Sequence, residues 1–328
     1  MSNAFEARGL VKRFGATTAL AGVDLAAPEG TVLGVLGPNG AGKTTAVRIL
    51  ATLLRADEGQ ATVSGLDVVT QASAVRRQIG LTGQYASVDE DLTGLENLVL
   101  IGRLLDLSRR DARSRALHLL GQFDLLEAKD RSGKTYSGGM RRRLDLAASL
   151  VGRPSVIYLD EPTTGLDPAK RDDVWQLIRR LVEDGTSVLL TTQYLEEADA
   201  LADEISVIDH GKVIAHGSPA DLKRRVGGQT LEVRPADLAD LAVVGELLSQ
   251  ISQRPTESPS RGVLSVPVES DAALTTVVGR LAEWGIGVTE LSLRLPSLDE
   301  AFFALTGRRT TEDSAPLETE HNTEESAA

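Results

Sequence analysis

Eight consecutive residues in the first part of the chain have the composition of a loop that binds phosphate. They fit the pattern G-x-x-x-x-G-K-[ST] and are Gly37, Pro38, Asn39, Gly40, Ala41, Gly42, Lys43 and Thr44. An apolar segment, 31–36, precedes them, and the residues from Thr45 onward favour a helix. In that context the glycines, which lack side chains, leave backbone N–H groups accessible to phosphate oxygens, and the helix N-terminus adds partial positive charge. The segment therefore predicts a loop that holds the phosphates of a nucleotide.

This loop and Thr45 are predicted to bind ATP, with specific roles for two side chains. Lys43 is expected to reach the β- and γ-phosphates and to assist catalysis, and the Thr44 hydroxyl is expected to hold Mg²⁺. The alternative, a structural glycine turn, does not explain why a strand precedes the loop and a helix follows it.

Two adjacent carboxylates end a second apolar segment. Asp160 and Glu161 follow residues 156–159, which are typical of a strand buried on both faces of a parallel sheet. Ligands collect at the carboxyl ends of such strands. Asp160 is therefore predicted to serve the Mg²⁺ site, and Glu161 to polarise a water molecule in line with the γ-phosphate. An ordinary acidic turn is the alternative.

A third segment, Ser137-Gly138-Gly139, has the features of a second phosphate site. Ser137 can cap a helix that begins near Gly139, and the adjacent glycines leave that backbone open to an anion. Because it precedes the strand that ends at Asp160, the segment resembles the signature motif of ABC ATPases. The resemblance covers about residues 4–225.

The resemblance to ABC ATPases assigns further residues. It implies that Gln84 belongs to the Q-loop and contacts ATP and Mg²⁺, that residues 165–167 form the D-loop, and that Phe14 stacks on adenine. A flat aromatic ring suits a base, although packing in the protein core is the alternative for Phe14. Tyr85, Val88 and Leu92 are candidates for contact with a membrane partner, or for plain packing.

Three segments are similar to the daunorubicin-resistance type of ATP-binding subunit, which energises drug exporters. They are residues 83–89, 191–199 and 297–307. One position departs from most ABC ATPases, because Gln193 stands where a histidine contacts the γ-phosphate. Glutamine cannot carry a proton near neutral pH. Gln193 is therefore expected to contribute hydrogen bonds to catalysis, and more of the chemistry is expected of Glu161.

Composition limits the classes of function. The chain has 328 residues, no cysteine and a net charge of −12, which disfavours nucleic acid as a partner. No apolar run approaches the ~18 residues of a membrane span, and no signal peptide is evident. We expect a cytoplasmic protein, peripheral to the inner face of the cell membrane. His118, His210 and His216 lack a second metal ligand at suitable spacing and are expected to be structural.

The pattern of elements predicts an α/β fold. Residues 1–226 are expected to form a P-loop ABC ATPase domain with a parallel sheet core, an antiparallel β layer and a helical insert. Residues 227–307 are expected to form a small C-terminal α/β accessory domain, and residues 308–328 a disordered acidic tail. Phe302, in the last predicted helix, is expected in the core of the small domain. The alternative is that part of this helix docks on a second subunit or on a permease.

The function that these features predict is ATP hydrolysis by a homodimer that closes around two ATP molecules and powers a separate integral membrane permease, exporting a drug or antibiotic. One alternative is an ABC ATPase that acts without a membrane, on nucleic acid or the ribosome. The single phosphate-binding loop and the short spacing from Lys43 to Ser137 disfavour it. The other is a regulatory module that binds ATP but hydrolyses little, which Gln193 suggests.

Overall fold

The computed structural model describes residues 2–83, 88–226, 229–258, 260–268, 271–294 and 297–306. Elements of the first part, in chain order, are β1 (Asn3–Phe14), β2 (Thr17–Pro28), β3 (Val32–Leu36), α1 (Lys43–Leu50), β4 (Glu58–Val63), β5 (Leu66–Asp67), α2 (Ala72–Gln78) and β6 (Ile79–Thr82). Strands β2, β1, β4 and β5 pair in that order as an antiparallel sheet. The predicted antiparallel β layer is therefore confirmed.

The middle of the chain supplies most of the helices and the remaining strands of the central sheet. Its elements are α3 (Gly94–Leu104), α4 (Arg109–Gln122), α5 (Gly138–Ser149), β7 (Val156–Asp160), α6 (Pro168–Glu183), β8 (Ser187–Thr192), α7 (Leu195–Leu201), β9 (Glu204–Asp209), β10 (Lys212–Gly217) and α8 (Pro219–Val226). Two short 3₁₀ helices, Leu126–Ala128 and Gly133–Thr135, lie between α4 and α5.

The central sheet has the strand order β10-β9-β3-β8-β7-β6. All of its neighbouring strands are parallel except β10, which pairs antiparallel with β9. Every residue of β3, β7 and β8 is buried, as expected for parallel strands covered on both faces. Because β8 lies between β3 and β7, the phosphate-binding loop and the Asp160–Glu161 pair come to the same edge of the sheet.

The helical insert is held by side-chain caps at the starts of its helices. The Thr93 hydroxyl accepts a hydrogen bond from Glu96 N at the start of α3, and the Glu96 carboxylate accepts one from Thr93 N. The hydroxyls of Ser108 and Ser137 cap α4 and α5 by accepting from the backbone N–H of the third helical residue, and the predicted cap at Ser137 is therefore confirmed. The insert buries its apolar faces in one core with the central sheet, through residues such as Leu98, Leu119 and Leu144.

A small three-stranded sheet follows the central domain. Its elements are β11 (Gln229–Pro235), α9 (Leu241–Ser252), β12 (Leu264–Val268), α10 (Ala272–Trp284), β13 (Val288–Arg294) and α11 (Leu298–Thr306), with a short 3₁₀ helix at Leu238–Asp240. Strand β11 lies between β12 and β13, and both pairs are antiparallel. Helices α9 and α10 pack on this sheet and share its separate hydrophobic core.

The last helix does not pack where it was expected. Leu298, Ala301 and Phe302 of α11 are buried in a cluster with residues of the ATPase part, including Leu36 at the end of β3 and Leu222 of α8. The expectation that Phe302 belongs to the core of the small domain is therefore wrong. The reason is that α7 and α8 offer an apolar surface that matches the apolar face of α11. This face is consequently not free to dock on a second subunit or a permease.

Among the helices of the described ranges, none combines the length and apolar character needed to cross a bilayer.

Candidate active site

The glycines of the phosphate-binding loop are required by close approach of other backbone. A Cβ atom at Gly37 would lie 2.2 Å from the carbonyl oxygen of Ile208, and one at Gly42 would lie 2.4 Å from that of Ala19. Gly42 also has a φ of 111°, which disfavours any other residue. The loop is supported from outside, because Gly211 N in the turn between β9 and β10 donates to the carbonyl oxygen of Ala41 at 3.0 Å.

Lys43 opens α1, and its ammonium group is buried beneath the loop. Its side chain is 5% exposed, and its Nζ atom donates to the carbonyl oxygens of Gly37 at 2.6 Å and Pro38 at 3.2 Å. Burial lowers the pKa of Lys43, while the nearby carboxylates of Glu161 and Asp160 act in the opposite direction. A buried cation at the N-terminus of a helix is well suited to hold phosphate oxygens.

Thr44 and Asp160 meet as predicted for a metal site. Oγ1 of Thr44 donates to Oδ1 of Asp160 at 3.2 Å, and the hydroxyl of Thr191 on β8 donates to the same oxygen. These are hard oxygen donors, and Mg²⁺ binds through one or two such protein groups with phosphates and water as its other ligands. The described residues hold no group of three or more His, Cys, Asp or Glu side chains suited to a metal.

Glu161 is fixed by its backbone as well as by its side chain. It is a non-glycine residue with a positive φ of 50°, a conformation that clusters at functional sites. Its N–H points at β8, where the oxygen atoms O and Oγ1 of Thr191 lie at 3.0 and 3.2 Å. Oε2 accepts from the Thr164 hydroxyl at 3.2 Å, and Oε1 lies 3.8 Å from Nζ of Lys43. The carboxylate is thereby held at the edge where the γ-phosphate would lie.

The second glycine-rich segment forms the N-terminus of α5. Oγ of Ser137 accepts from Met140 N at 3.2 Å, and both Ser137 and Gly138 are exposed. Gly139 is buried, and a Cβ atom there would lie 3.0 Å from Cδ of Lys170 on α6. The exposed start of this helix can therefore accept an anion brought by another molecule.

Phe14 ends β1 with its ring 51% exposed. The exposure removes the alternative that this residue is a core side chain. Nζ of Lys12 lies 5.6 Å from the ring centroid, so a cation covers part of the ring. An exposed aromatic ring of this kind can stack on a flat base.

The remaining residues that were predicted to bind ATP, assist catalysis or contact a partner are only partly within the described ranges. Asn39 is exposed on the loop, and Thr45 lies in the first turn of α1. Gln193 is half-buried directly after β8. Gln84 and Tyr85 lie outside the described residues. Val88 is buried in the core of the helical insert, which confirms plain packing for that residue.

Two charged residues that the sequence did not indicate, one half-buried and one buried, hold the turn after Glu161. Nε of Arg142, on α5, donates to the carbonyl oxygen of Pro162 at 2.6 Å. From the other side, Oε1 of the wholly buried Glu197 accepts from the Thr163 hydroxyl at 2.8 Å. Oε1 also accepts from the indole N–H of Trp175 at 3.2 Å.

Burial raises the pKa of Glu197 and lowers that of Arg142. Both residues connect the turn after Glu161 to helices next to other candidate site residues: Ser137 caps α5, and Gln193 lies just before α7. Sequence offers little signal for them, because Arg142 is one of three consecutive arginines and Glu197 follows another glutamate.

The fold and the site together define a nucleotide-binding cassette of the P-loop ATPases. Residues 20–164 match the family model described as ABC transporter. The chain is 54% identical to the daunorubicin resistance ATP-binding protein DrrA2 of Streptomyces coeruleorubidus, over 94% of this chain and 96% of that protein. It is 50% identical to the daunorubicin/doxorubicin resistance ATP-binding protein DrrA of Streptomyces peucetius, over 97% and 98%.

Solved structures agree with this similarity. The ADP conformation of the ATP-binding cassette MJ1267 superposes with a TM-score of 0.63 at 26% identity, covering 69% of this chain and 95% of that one. The dimeric cassette MJ0796 bound to ADP and Pi gives 0.59 at 27% identity, covering 65% and 98%. The chain belongs to the ABC transporter ATP-binding family, as an ATPase subunit of the daunorubicin-resistance type. The predicted fold class is confirmed.

Proposed function

We propose that two copies of this chain close around two ATP molecules and, by hydrolysing them, drive a separate membrane permease that exports a drug. The observation that carries the proposal is the meeting of Lys43, Asp160 and Glu161 at one edge of the central sheet. The ammonium–carboxylate distance of 3.8 Å and the Thr44–Asp160 hydrogen bond of 3.2 Å hold these groups in one place. A buried lysine, a hydroxyl suited to Mg²⁺ and two acids together are the groups that ATP binding and hydrolysis require.

ATP binding falls to the loop, to Lys43 and to Phe14. Backbone N–H groups of the loop and the ammonium of Lys43 would hold the phosphates, and the Phe14 ring would stack on the base. Thr44 and Asp160 would hold Mg²⁺, with Gln84 as a further ligand. That ion, when bound, neutralises charge on the phosphate oxygens.

Hydrolysis requires a base for the attacking water. Glu161 would accept a proton as the water oxygen bonds to the γ-phosphorus and the bond to the β-phosphate oxygen breaks. Lys43 and the loop N–H groups would stabilise the negative charge on the phosphate oxygens. Gln193 would orient the γ-phosphate or the water through its amide, since it has no titratable proton to give.

The dimer completes each site. Because Ser137, Gly138 and Gly139 are on the same chain as Lys43, two copies related by a two-fold axis would form two equal composite sites. The exposed start of α5 would then face the γ-phosphate bound to the other copy. Arg142 and Glu197, which hydrogen-bond the turn after Glu161, would let α5 and the Glu161 carboxylate move together.

Export of a drug rests on the names of the relatives, which are daunorubicin and doxorubicin resistance proteins. We infer that the permease is a separate integral membrane chain and that this subunit works at the inner face of the cell membrane. Nucleic acid is not expected as a partner, because the net charge is −12.

Co-expression with a candidate permease tests the proposal. Cells that express both chains should accumulate less daunorubicin than cells that express the permease with the Lys43→Ala variant, and the purified chain should hydrolyse ATP. Turnover without any effect on drug accumulation would favour an ABC ATPase that is not coupled to drug export. Tight ATP binding without turnover, alone or with the permease, would favour a regulatory module.

A further inference from the structure

A second cavity lies at the opposite edge of the central sheet from the ATP site. Its volume is about 690 Å³, within the usual size of a small-ligand site. Arg77 lies at the end of α2, just before β6, and Arg153 lies in the loop that leads into β7. The cavity therefore lies at the amino ends of these strands, whereas Asp160 and Glu161 mark the carboxyl end of β7.

The lining of this cavity is rich in positive side chains. Three arginines and one histidine line the cavity. Its polar lining residues are Arg77 and Arg153, together with Asp111, Ser114, Arg115 and His118 of α4. Within the described ranges, none of the three arginines forms an ion pair with a carboxylate within 4 Å. Asp111 instead accepts a hydrogen bond from the Ser108 hydroxyl at 2.6 Å. Asp111 is the one carboxylate among the described lining residues, so the three arginines outnumber it and the cavity keeps an excess of positive charge.

Arg115 shows the imbalance most clearly. One of its terminal nitrogens, Nη2, donates to the carbonyl oxygen of Leu150 at 2.8 Å, but its buried Nε has no hydrogen-bond partner. Burial lowers the pKa of Arg115, and the like charge of Arg153 lowers it further. Guanidinium groups that repel each other in a partly buried cavity destabilise the folded state, and an anion bound between them would offset that repulsion.

We propose that this cavity binds a phosphate group, carried either by a soluble phosphate compound or by an anionic lipid headgroup. Guanidinium forks match the geometry of phosphate oxygens, and Arg77, Arg115 and Arg153 bring three of them to one cavity. The site is separate from the ATP site, so it does not depend on the proposed export function. Its position beside α4 and the α5–β7 loop would let a bound phosphate brace the helical insert against the sheet.

Pyrophosphate binding to the full chain, with the nucleotide site saturated by ADP, tests the proposal. Arg77→Gln and Arg153→Asn each remove one cavity charge; asparagine suits position 153, where φ is 53°. Arg76→Gln is the matched control, because Arg76 is the neighbouring arginine on α2 and hydrogen-bonds Thr52 and Ser73 instead. Isothermal titration should show at least tenfold weaker pyrophosphate binding for either cavity variant, and an affinity within twofold of wild type for the control.

Flotation with vesicles separates the two sources of phosphate. If the ligand is a lipid headgroup, vesicles of phosphatidylglycerol in phosphatidylcholine should float with the wild-type chain bound. Neither cavity variant should then float with these vesicles. Weaker pyrophosphate binding with unchanged flotation would indicate a soluble phosphate compound. If Arg77→Gln and Arg153→Asn alter neither measurement relative to Arg76→Gln, the cavity is not a phosphate site. ATP hydrolysis is expected to persist in all three variants, so this outcome leaves the ATPase function untouched.

Discussion

Nζ of Lys43 and Oε1 of Glu161 lie 3.8 Å apart, in side chains that are 5% and 7% exposed. A buried cation and anion depend on each other, because removing one leaves the other uncompensated. An ATP molecule entering the loop would bring phosphate oxygens to the same ammonium group. The pair therefore links phosphate binding to the position of the carboxylate that is proposed to activate water.

Replacement of that carboxylate separates binding from chemistry. Glu161→Gln should retain ATP binding, because the phosphate donors remain, while the hydrolysis rate falls on the order of 10²–10⁴-fold with the base removed. The ATP-bound dimer should accumulate, which size-exclusion chromatography measures. Glu183→Gln, at an exposed position on α6, is the matched control and should hydrolyse ATP at the wild-type rate. Turnover of Glu161→Gln within a few-fold of wild type would exclude Glu161 as the base.

Substitution at the start of α5 tests the composite site. Ser137→Arg should abolish hydrolysis while a single chain still binds ATP, because the added side chain blocks the position offered to the other copy. Loss of the cap itself costs about 0.5–2 kcal/mol. Ser108→Arg is the control, since it removes the equivalent cap of α4 away from the site. If Ser137→Arg weakens ATP binding as strongly as Lys43→Ala, the two-copy arrangement is wrong.

The exposed ring at the end of β1 should contribute to nucleotide affinity. Phe14→Ala is expected to weaken ATP binding by about 1–3 kcal/mol, the range for stacking of a base on an aromatic side chain, with little change in thermal stability. Phe14→Tyr should retain most of the affinity. Because stacking does not distinguish bases, ATP and GTP should lose affinity equally. A loss confined to one nucleotide would indicate hydrogen bonding at this position instead.

Glu197 gives a pH dependence whose sign follows from its burial. Since burial raises the pKa of Glu197, the folded chain keeps this proton at pH values where the unfolded chain has released it. Its contribution to the free energy of unfolding is therefore full below the ordinary glutamate pKa and decreases as pH rises through the raised one. Glu197→Gln removes this term.

Denaturant unfolding of both proteins between pH 4 and pH 8 measures the effect. The free energy of unfolding of Glu197→Gln should increase with pH relative to that of the wild type. The reason is that only the wild type loses the contribution of a buried carboxyl proton as pH rises. A difference that stays constant over the whole range would show that folding does not shift the pKa of Glu197.

Neighbouring phenylalanines on α11 should differ sharply in their effect on stability. Phe302 is buried in the cluster with Leu36 and Leu222, so Phe302→Ala should cost about 3–5 kcal/mol. Phe303 is 46% exposed, and Phe303→Ala is expected to cost much less. Thermal unfolding monitored with and without ATP reports whether the loss falls on the ATPase part. Equal destabilisation by the two variants would contradict the packing of α11 on that part.

The residues of the phosphate site could be predicted because their chemistry requires a fixed local order. Gly37, Gly42 and Lys43 belong to one short, contiguous pattern in the sequence, and Asp160 ends a strand whose apolar run is evident. Parallel pairing then brings both segments to one edge without any further information. The cap at Ser137 was predictable for the same local reason.

Contacts between distant segments could not be predicted in this way. Buried Glu197 on α7 contacts Thr163 in the turn after β7 and Trp175 on α6, and only the tertiary fold brings these segments together. The destination of α11 is similar, because an apolar helix face does not specify which of two cores it joins. The cavity lined by Arg77 and Arg153 likewise forms from residues far apart in the chain.

The packing of α11 on α8 also changes how the small C-terminal sheet is attached. The helices before and after it are in contact within one hydrophobic cluster, so residues 229–294 form an excursion that leaves the ATPase part and returns to it. Both ends of the excursion are thus anchored at nearly the same place. A segment held in this manner can be exchanged between related subunits, or replaced by a short linker, without cutting the helix that completes the ATPase core.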